Sequence, residues 1–83
     1  MPIIAIVDGA KLCMYANDHW PPHFHILLAE HRAVIDIETL RLTRGSFPKA
    51  KLRSILKWAK PRRVNLLEAW GTTQEHLIPG TIQ

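Results

Sequence analysis

The chain has 83 residues, of which 47% are hydrophobic, and a formal net charge of +4 at neutral pH. This length predicts one small domain, and the composition argues against a disordered chain. A single cysteine excludes a disulfide framework and any zinc site built from several cysteines. Because the sequence has no signal-peptide pattern and no apolar run that could cross a bilayer, we expect a cytoplasmic protein without membrane contact.

The first part of the chain predicts a β-hairpin. Residues 3–7 form a β-rich run, and a second run covers residues 10–15, with Asp8-Gly9 between them. Both central residues of a type I′ turn need a positive φ, and Asp-Gly is a favoured pair at these positions. The pattern therefore indicates two antiparallel strands joined by a tight turn.

Residues 17–25, with the sequence NDHWPPHFH, contain three of the five histidines. Pro21 and Pro22 cannot continue a sheet, because proline has no amide hydrogen and restricts the residue before it. We therefore predict a rigid connector, with a cis peptide bond possible at either proline. The alternating residues that follow predict a strand with His23 and His25 on one face.

Residues 33–38 form a second alternating run. This run predicts a strand that pairs with the first one across a turn at residues 30–31. The apolar residues of both strands then form one continuous face. The register that achieves this places His25 opposite Asp36 and His23 opposite Glu38 on the other face. A slip of one residue would mix the two faces, so the hydrophobic pattern excludes it.

The second half of the chain changes from strand to helix periodicity. Residues 40–44 predict one further strand, and beyond them apolar residues recur every three or four positions. Ser46 is a suitable N-cap for a first helix, with Pro48 in its first turn. Pro61 is expected to end this helix and begin a second one, which would stop at Gly71 as the C′ residue.

Together these elements predict a single α+β domain over residues 1–71. It would contain an antiparallel meander of four to five strands followed by two C-terminal helices packed on one face. Residues 72–83 include Pro79-Gly80 and few apolar side chains. We interpret them as a C-terminal tail or an added edge segment.

The histidine-rich segment has more than one chemical interpretation, and the first is a metal site. His23 and His25 are two residues apart on a strand, so both imidazoles lie on the same face. Asp36 or Glu38 could add a carboxylate from the neighbouring strand. The resulting site of His23, His25 and Glu38 would suit a divalent zinc, nickel, manganese or iron ion, and no other cofactor is expected.

A second interpretation is acid–base catalysis without a metal, by His19, His23, His25 and Asp36. A carboxylate orients an imidazole and makes it more basic. One imidazole would remove the 2′-hydroxyl proton of RNA, and another would protonate the leaving oxygen. A structural role is also open, because a His–carboxylate pair across an exposed ladder contributes about 0.2–1 kcal/mol without any catalysis.

Charge is distributed unevenly along the chain. Residues 3–40 carry two basic and five acidic side chains, whereas residues 41–63 carry nine basic side chains and no acidic one. This distribution indicates an anionic partner, either RNA or an acidic protein, although a solvated helix face has the same composition. The residues expected to contact nucleic acid or a partner are Lys49, Lys51, Arg53, Lys57, Arg62, Arg63 and Trp20, the last by stacking.

Several motifs carry a resemblance to a known family. They are Tyr15-x-Asn17-Asp18-His19-x-Pro21-Pro22-His23-Phe24-His25, Ala33-Val34-Ile35-Asp36-Ile37, Gly45-Ser46-x-Pro48 and Leu67-x-x-x-Trp70. Over residues 2–70 the chain resembles a small bacterial family, numbered 4160 among domains of unknown function. Members are often encoded beside a protein of the family numbered 2442, an arrangement interpreted as a toxin–antitoxin pair.

The resemblance implies a two-gene module in which this chain is the toxin or its partner, and it assigns no reaction. Our leading hypothesis is a toxin–antitoxin component that binds a cognate protein and cleaves or binds RNA through the histidine cluster. The first alternative is a non-enzymatic module that docks a partner protein. The second alternative is a small metal-dependent enzyme or metal sensor.

Overall fold

The computed structural model describes residues 2–83, which form five strands and a C-terminal helical segment. The strands are β1 (Ile3–Val7), β2 (Ala10–Cys13), β3 (His23–Leu28), β4 (His31–Asp36) and β5 (Leu42–Ser46). The helical segment consists of α1 (Lys49–Ala59), a 3₁₀ turn (Lys60–Arg62) and α2 (Arg63–Gln74). No helix in this part of the chain is long and apolar enough to cross a membrane.

The five strands form one antiparallel sheet in the order β1-β2-β3-β4-β5. This arrangement confirms the predicted α+β meander. The first turn also has the predicted conformation, since Asp8 and Gly9 adopt φ angles of 49° and 83°. Consecutive strands are therefore neighbours throughout the sheet.

The helical segment covers one face of the sheet. Phe24 and Ile35, from the two central strands, are fully buried in the same apolar cluster as Ile55 of α1 and Leu66 of α2. Burial of these side chains is the main stabilising interaction between the two layers. We call the opposite sheet face, which the helices leave uncovered, the outer face; it carries His23, His25, Leu27, Arg32, Val34, Asp36 and Arg44.

The register between β3 and β4 differs from the predicted one by two residues. The turn lies at residues 29–30, one position earlier than predicted, and Ala29 adopts a φ of 52°. Phe24 pairs with Ile35, where the prediction placed Ile37. A shift of two residues keeps every side chain on its original face, so the apolar pattern cannot distinguish the two registers.

This shift makes both predicted cross-strand pairs of the histidines wrong. His23 lies opposite Asp36, not opposite Glu38, and His25 lies opposite Val34, not opposite Asp36. The carboxylate partner of the histidines must therefore come from another part of the chain.

Strand β5 lies two residues later than predicted. Leu40 adopts a φ of 56° and cannot belong to a strand, and Ser46 ends β5, so its prediction as an N-cap is wrong. Pro48 occupies the N-cap position of α1 instead. Within β5, Gly45 has a φ of 77°, and a Cβ at this position would collide with the carbonyl oxygen of Arg32.

The two predicted helices are joined into one helical stretch over residues 49–74. Pro61 lies in the 3₁₀ turn between α1 and α2, so it interrupts the helix without reversing the chain. The prediction that the second helix stops at Gly71 is wrong, because α2 continues to Gln74 and Thr73 is buried. The predicted boundary after residue 71 thus falls within α2.

The last residues return to the edge of the sheet. The backbone N–H of Ile82 donates to the carbonyl oxygen of Ile4 at 2.7 Å. The Arg62 side chain donates to the carbonyl oxygen of Gln83 at 2.8 Å. These bonds hold the last two residues between the 3₁₀ turn and the edge strand β1.

The position of Gly71 gives a test of the helix end. Because Gly71 lies within α2 and an added Cβ meets no atom within 4 Å, Gly71→Ala should raise the free energy of unfolding by about 0.5 kcal/mol. Urea unfolding measures this change. A C′ glycine at positive φ would give a loss of stability instead, and that result would contradict the structure. Gly45→Ala is the control, with an expected loss of more than about 1 kcal/mol.

Candidate functional site

Two histidine side chains of β3 converge on one carboxylate oxygen. The Nε2 atoms of His23 and His25 lie 2.8 Å and 3.2 Å from Oδ2 of Asp18. Both histidines belong to the outer face, as their alternation along β3 predicts. Asp18 comes from the connector between β2 and β3, so this loop bends back over the strand that it precedes.

The connector is held in this position by the last residue of α2. The backbone N–H of Asp18 donates to Oε1 of Gln74 at 3.1 Å, and Nε2 of Gln74 donates to the carbonyl oxygen of Tyr15 at 3.0 Å. Asn17 has a φ of 61°, and the peptide bond between Trp20 and the following proline is cis. One carboxamide therefore fixes two points of the loop that presents Asp18.

The hydrogen bonds of His23 determine which of its ring nitrogens carries hydrogen. Its Nδ1 lies 2.7 Å from the carbonyl oxygen of Pro21, which can only accept, so Nδ1 is the donor. Its Nε2 faces a carboxylate oxygen, which when ionised is also only an acceptor. Two acceptors around one imidazole require a proton on both nitrogens, a protonated Asp18, or a cation between Nε2 and Asp18.

Asp18 is stabilised in its ionised form. Desolvation raises the pKa of this carboxyl group, but it is outweighed by hydrogen bonds from His25 and His23, by the charge interaction with His23 and by a hydrogen bond from the backbone N–H of His19. The net effect holds the pKa of Asp18 below its ordinary value. The cluster thus combines a carboxylate with two imidazoles in a partly buried position, where charge interactions are stronger than in water.

His19 lies at the mouth of the site. Its side chain is 74% exposed, and its Nδ1 lies 3.4 Å from Oδ1 of Asp18. The rings of His19 and His23 have centroids 5.7 Å apart. The three histidines that the sequence marks as candidates are therefore close together, with His19 as the only one of the three that is fully accessible to solvent.

A cleft of ≈ 260 Å³ opens beside the cluster. Arg44 and Thr43 of β5 line its far side, and Asp36 lines it next to His23. Oδ1 of Asp36 accepts hydrogen bonds from the backbone N–H groups of the two residues that follow Ile37, at 2.8 Å and 2.9 Å. Asp36 therefore stabilises the turn after β4.

Glu38, the carboxylate that the sequence suggests as a metal ligand, lies in this turn. Its side chain is exposed and does not line the cleft. Within residues 2–83, the group that could hold a metal ion consists of Asp18, His23 and His25, whose ligand atoms lie within 4.8 Å of one another. Asp18 thus occupies the position for which Glu38 was predicted.

The observed distances suit a common metal ion. Zinc binds imidazole nitrogen and carboxylate oxygen at about 2.0–2.2 Å, which separates two ligand atoms by about 2.9 Å at a right angle and about 3.4 Å at a tetrahedral angle. The two N···O distances of 2.8 Å and 3.2 Å are close to this range. Cys13 lies opposite His25 on β2, but burial raises the pKa of its thiol, and it is not a member of the group.

The cationic side chains of the helical segment fall into two sets. Lys51 pairs with Asp8 at 3.0 Å, Arg62 lies over the Trp58 ring at 4.8 Å, and Arg63 donates to a backbone carbonyl at 3.2 Å. These three form contacts within the chain. The others surround a shallow apolar hollow that we call the cationic helix surface, formed by Lys49, Leu52, Arg53, Leu56, Lys57 and Lys60.

Trp20 lies outside the cleft. Its side chain is 69% exposed and contacts the Trp70 ring edge-on, with centroids 5.5 Å apart. Nε1 of Trp70 is buried and has no hydrogen-bond partner among residues 2–83. The contact attaches the tip of the connector to α2, close to the point where Gln74 holds its base.

The sequence does not single out Asp18 or Gln74 as parts of a site. In the sequence, Asp18 is typical of a turn-forming residue. The signal for its role is its position five residues before His23, with two prolines between them that could turn the loop back over the strand. Gln74 lies 56 residues from Asp18 and within the segment interpreted as a tail. No local pattern could connect them.

Comparison with known proteins gives a match to a protein-family model. The model of a family described as "Domain of unknown function (DUF4160)" matches residues 9–71. No curated protein and no solved structure matches the chain significantly. The matched range includes all three residues of the cluster but not Gln74.

Proposed function

This chain belongs to the DUF4160 family, whose description names no activity, and we propose that its outer-face cluster binds a divalent metal ion. The observation that carries the proposal is the convergence of two imidazole Nε2 atoms on one oxygen of Asp18. A cation at this point would accept the lone pairs of both nitrogens and neutralise the carboxylate. The ion would then interact with the three atoms that converge here, which are Nε2 of His23, Nε2 of His25 and Oδ2 of Asp18.

The surroundings of His23 support this proposal. A histidine that binds a metal through one nitrogen usually donates from the other to a carboxylate or a backbone carbonyl. His23 donates from Nδ1 to Pro21 in this way, which leaves Nε2 for the metal. Three protein ligands would leave at least one position for water or substrate, where the ion would supply Lewis-acid chemistry.

Zinc titration followed by isothermal calorimetry tests the site. The wild-type chain should bind one zinc ion, and Asp18→Asn or His25→Gln should weaken binding about 100-fold or more, because each removes a ligand. Binding should also weaken as the pH falls, because protons compete for the imidazole nitrogens. Thermal unfolding should show that zinc raises the Tm of the wild type but not that of Asp18→Asn or His25→Gln.

The chain offers matched controls for this titration. Glu38→Gln is matched to Asp18→Asn, because it changes a carboxylate to an amide at the metal ligand that was predicted from the sequence. His31→Gln is matched to His25→Gln, because it removes a histidine that lies outside the cluster. Both should bind zinc as the wild type does. Loss of binding in Glu38→Gln with retention in Asp18→Asn would refute the proposed ligand set.

We further propose that the site cleaves RNA, and that the chain is the toxin of a bacterial toxin–antitoxin module in the cytoplasm. The cleft contains a cation, Arg44, on the side opposite the cluster, where it could hold a phosphate. Water would add to phosphorus and lose one proton to the solvent, and the bond from phosphorus to the leaving ribose oxygen would break. His19, at the mouth, would donate the proton that this oxygen needs.

The geometry favours metal-assisted cleavage over the metal-free alternative. A metal-free mechanism needs two imidazoles that reach opposite sides of a phosphate. Here the Nε2 atoms of His23 and His25 both face Asp18, and Nδ1 of His23 is occupied by a carbonyl group. Neither Nε2 could take part in proton transfer to substrate without breaking a bond of the cluster.

Cleavage of a labelled RNA by purified protein tests the reaction. We expect cleavage with added zinc or manganese, none with a chelator, and none by Asp18→Asn; Glu38→Gln should remain active. Induction in bacteria should arrest growth for the wild type and Glu38→Gln only. Cleavage that persists in chelator would contradict the metal role, and intact RNA under every condition would contradict the nuclease role.

A second proposed function is binding of a partner protein at the cationic helix surface. Its four cations have no acidic neighbour among the lining residues, and Leu52 and Leu56 form an apolar floor between them. An acidic, amphipathic segment would complement both properties. The protein encoded beside this chain, expected from the family numbered 2442, is the proposed source of that segment.

Co-expression with the neighbouring protein and gel filtration tests this docking. Arg53→Glu/Lys57→Glu should dissociate the complex, because it reverses charge beside the apolar floor. Lys11→Glu/Arg41→Glu changes the charge by the same amount elsewhere on the surface and should leave the complex intact. Equal effects of the two double variants would show that only net charge matters, and the proposed surface would be wrong.

A further inference from the structure

We infer that the outer face holds a second site, in which Arg32 and Arg44 bind the phosphates of single-stranded RNA. The inference gives the proposed nuclease its substrate-binding residues and rests on that function for its biological meaning. The binding itself requires no metal. It also places the nucleic acid on the sheet, whereas the charge pattern of the sequence favours the helical segment.

The two arginines are diagonal neighbours on the outer face. Arg44 on β5 lies opposite Val34 on β4, and Arg32 lies two residues before Val34 on the same strand. Diagonal positions of an antiparallel pair are about 7–8 Å apart, which is within reach of long side chains. Both residues are exposed, and neither has an ion pair within residues 2–83.

Two adjoining hollows connect these arginines with the cluster. The first is the cleft beside Asp18, and the second, of ≈ 210 Å³, lies between Tyr15 and β5. They share the residues His25, Val34 and Arg44, and the second hollow ends at Arg32. The two adjoining hollows, which we call the groove, lie over β3, β4 and β5 and start at the proposed metal site.

The charged side chains of this groove leave its two arginines available to an anion. Its acidic side chains are Asp18, which is bound by two imidazoles, and Asp36, which caps the turn after β4. Neither carboxylate forms an ion pair with Arg32 or Arg44 within residues 2–83, so two phosphates would supply the partners that these arginines lack. Tyr15, with its ring against His25 at 4.5 Å, adds an aromatic wall.

The width of the groove indicates the class of nucleic acid. Three neighbouring strands span about 10 Å at 4.7–4.9 Å per pair. One nucleotide strand fits this width with its phosphates along the arginines. A strand that lies there would reach the cluster with a phosphodiester group between Arg44 and His19, as the proposed cleavage requires.

Fluorescence anisotropy of a labelled single-stranded oligouridine tests the inference. The experiment uses Asp18→Asn in a buffer with chelator, so neither metal binding nor cleavage affects the result. Added to this background, Arg32→Gln/Arg44→Gln should weaken binding at least tenfold. The slope of log affinity against log salt concentration should become less steep by about 1.4, or 0.7 for each lost phosphate contact.

The matched control is Arg53→Gln/Lys57→Gln, which removes two charges from the cationic helix surface and should bind as its background does. Thermal unfolding of each variant should first show that it is folded. Equal losses from the two pairs, a loss only from the helix pair, or no binding by the background at low salt would each overturn the inference. Failure of zinc binding would leave this result unchanged, so the two proposals can fail independently.

Discussion

The structure of the site depends on the two hydrogen bonds that Asp18 accepts from His23 and His25 on a single oxygen. Alternation along β3 brings the two imidazoles to one face, but alternation alone gives them no partner. The partner is supplied by the connector, which lies over β3 at Asp18 and then enters that strand through two prolines. Because Nδ1 of His23 is already bound to a backbone carbonyl, its other nitrogen faces the carboxylate. This geometry is the basis for the metal-binding proposal.

The division of the sheet into a covered face and an outer face gives each its own role. The helices bury Phe24 and Ile35 on one face and supply the stability of the fold. The helices do not cover the outer face, so it can expose polar side chains beside the cleft. The helical layer is connected to the loop that presents Asp18 by the Trp20–Trp70 contact and by Gln74 at the end of α2. A change in the C-terminal part of α2 would therefore reach the site through this side chain.

Much of the fold can be predicted from the spacing of apolar residues and from the turn-forming residues in the sequence. The Asp8-Gly9 turn, the meander and the buried face were all predictable, because each depends on neighbouring residues. The register of β3 and β4 was not, since shifts of two residues leave the apolar pattern unchanged. The histidines could be recognised as candidates from their spacing. The carboxylate of Asp18 could not be recognised as their partner. Its position depends on the path of the connector and on a contact with Gln74, which lies 56 residues away.

The central claim is that Asp18, His23 and His25 bind a metal through the Nε2 atoms of both histidines. The most direct test is a ¹⁵N NMR spectrum of the imidazole side chains, recorded during zinc titration. We predict that zinc changes the Nε2 signals of His23 and His25 while Nδ1 of His23 keeps its proton, and that His31 is unaffected. Unchanged signals for His23 and His25, or equal changes at His31, would contradict this account.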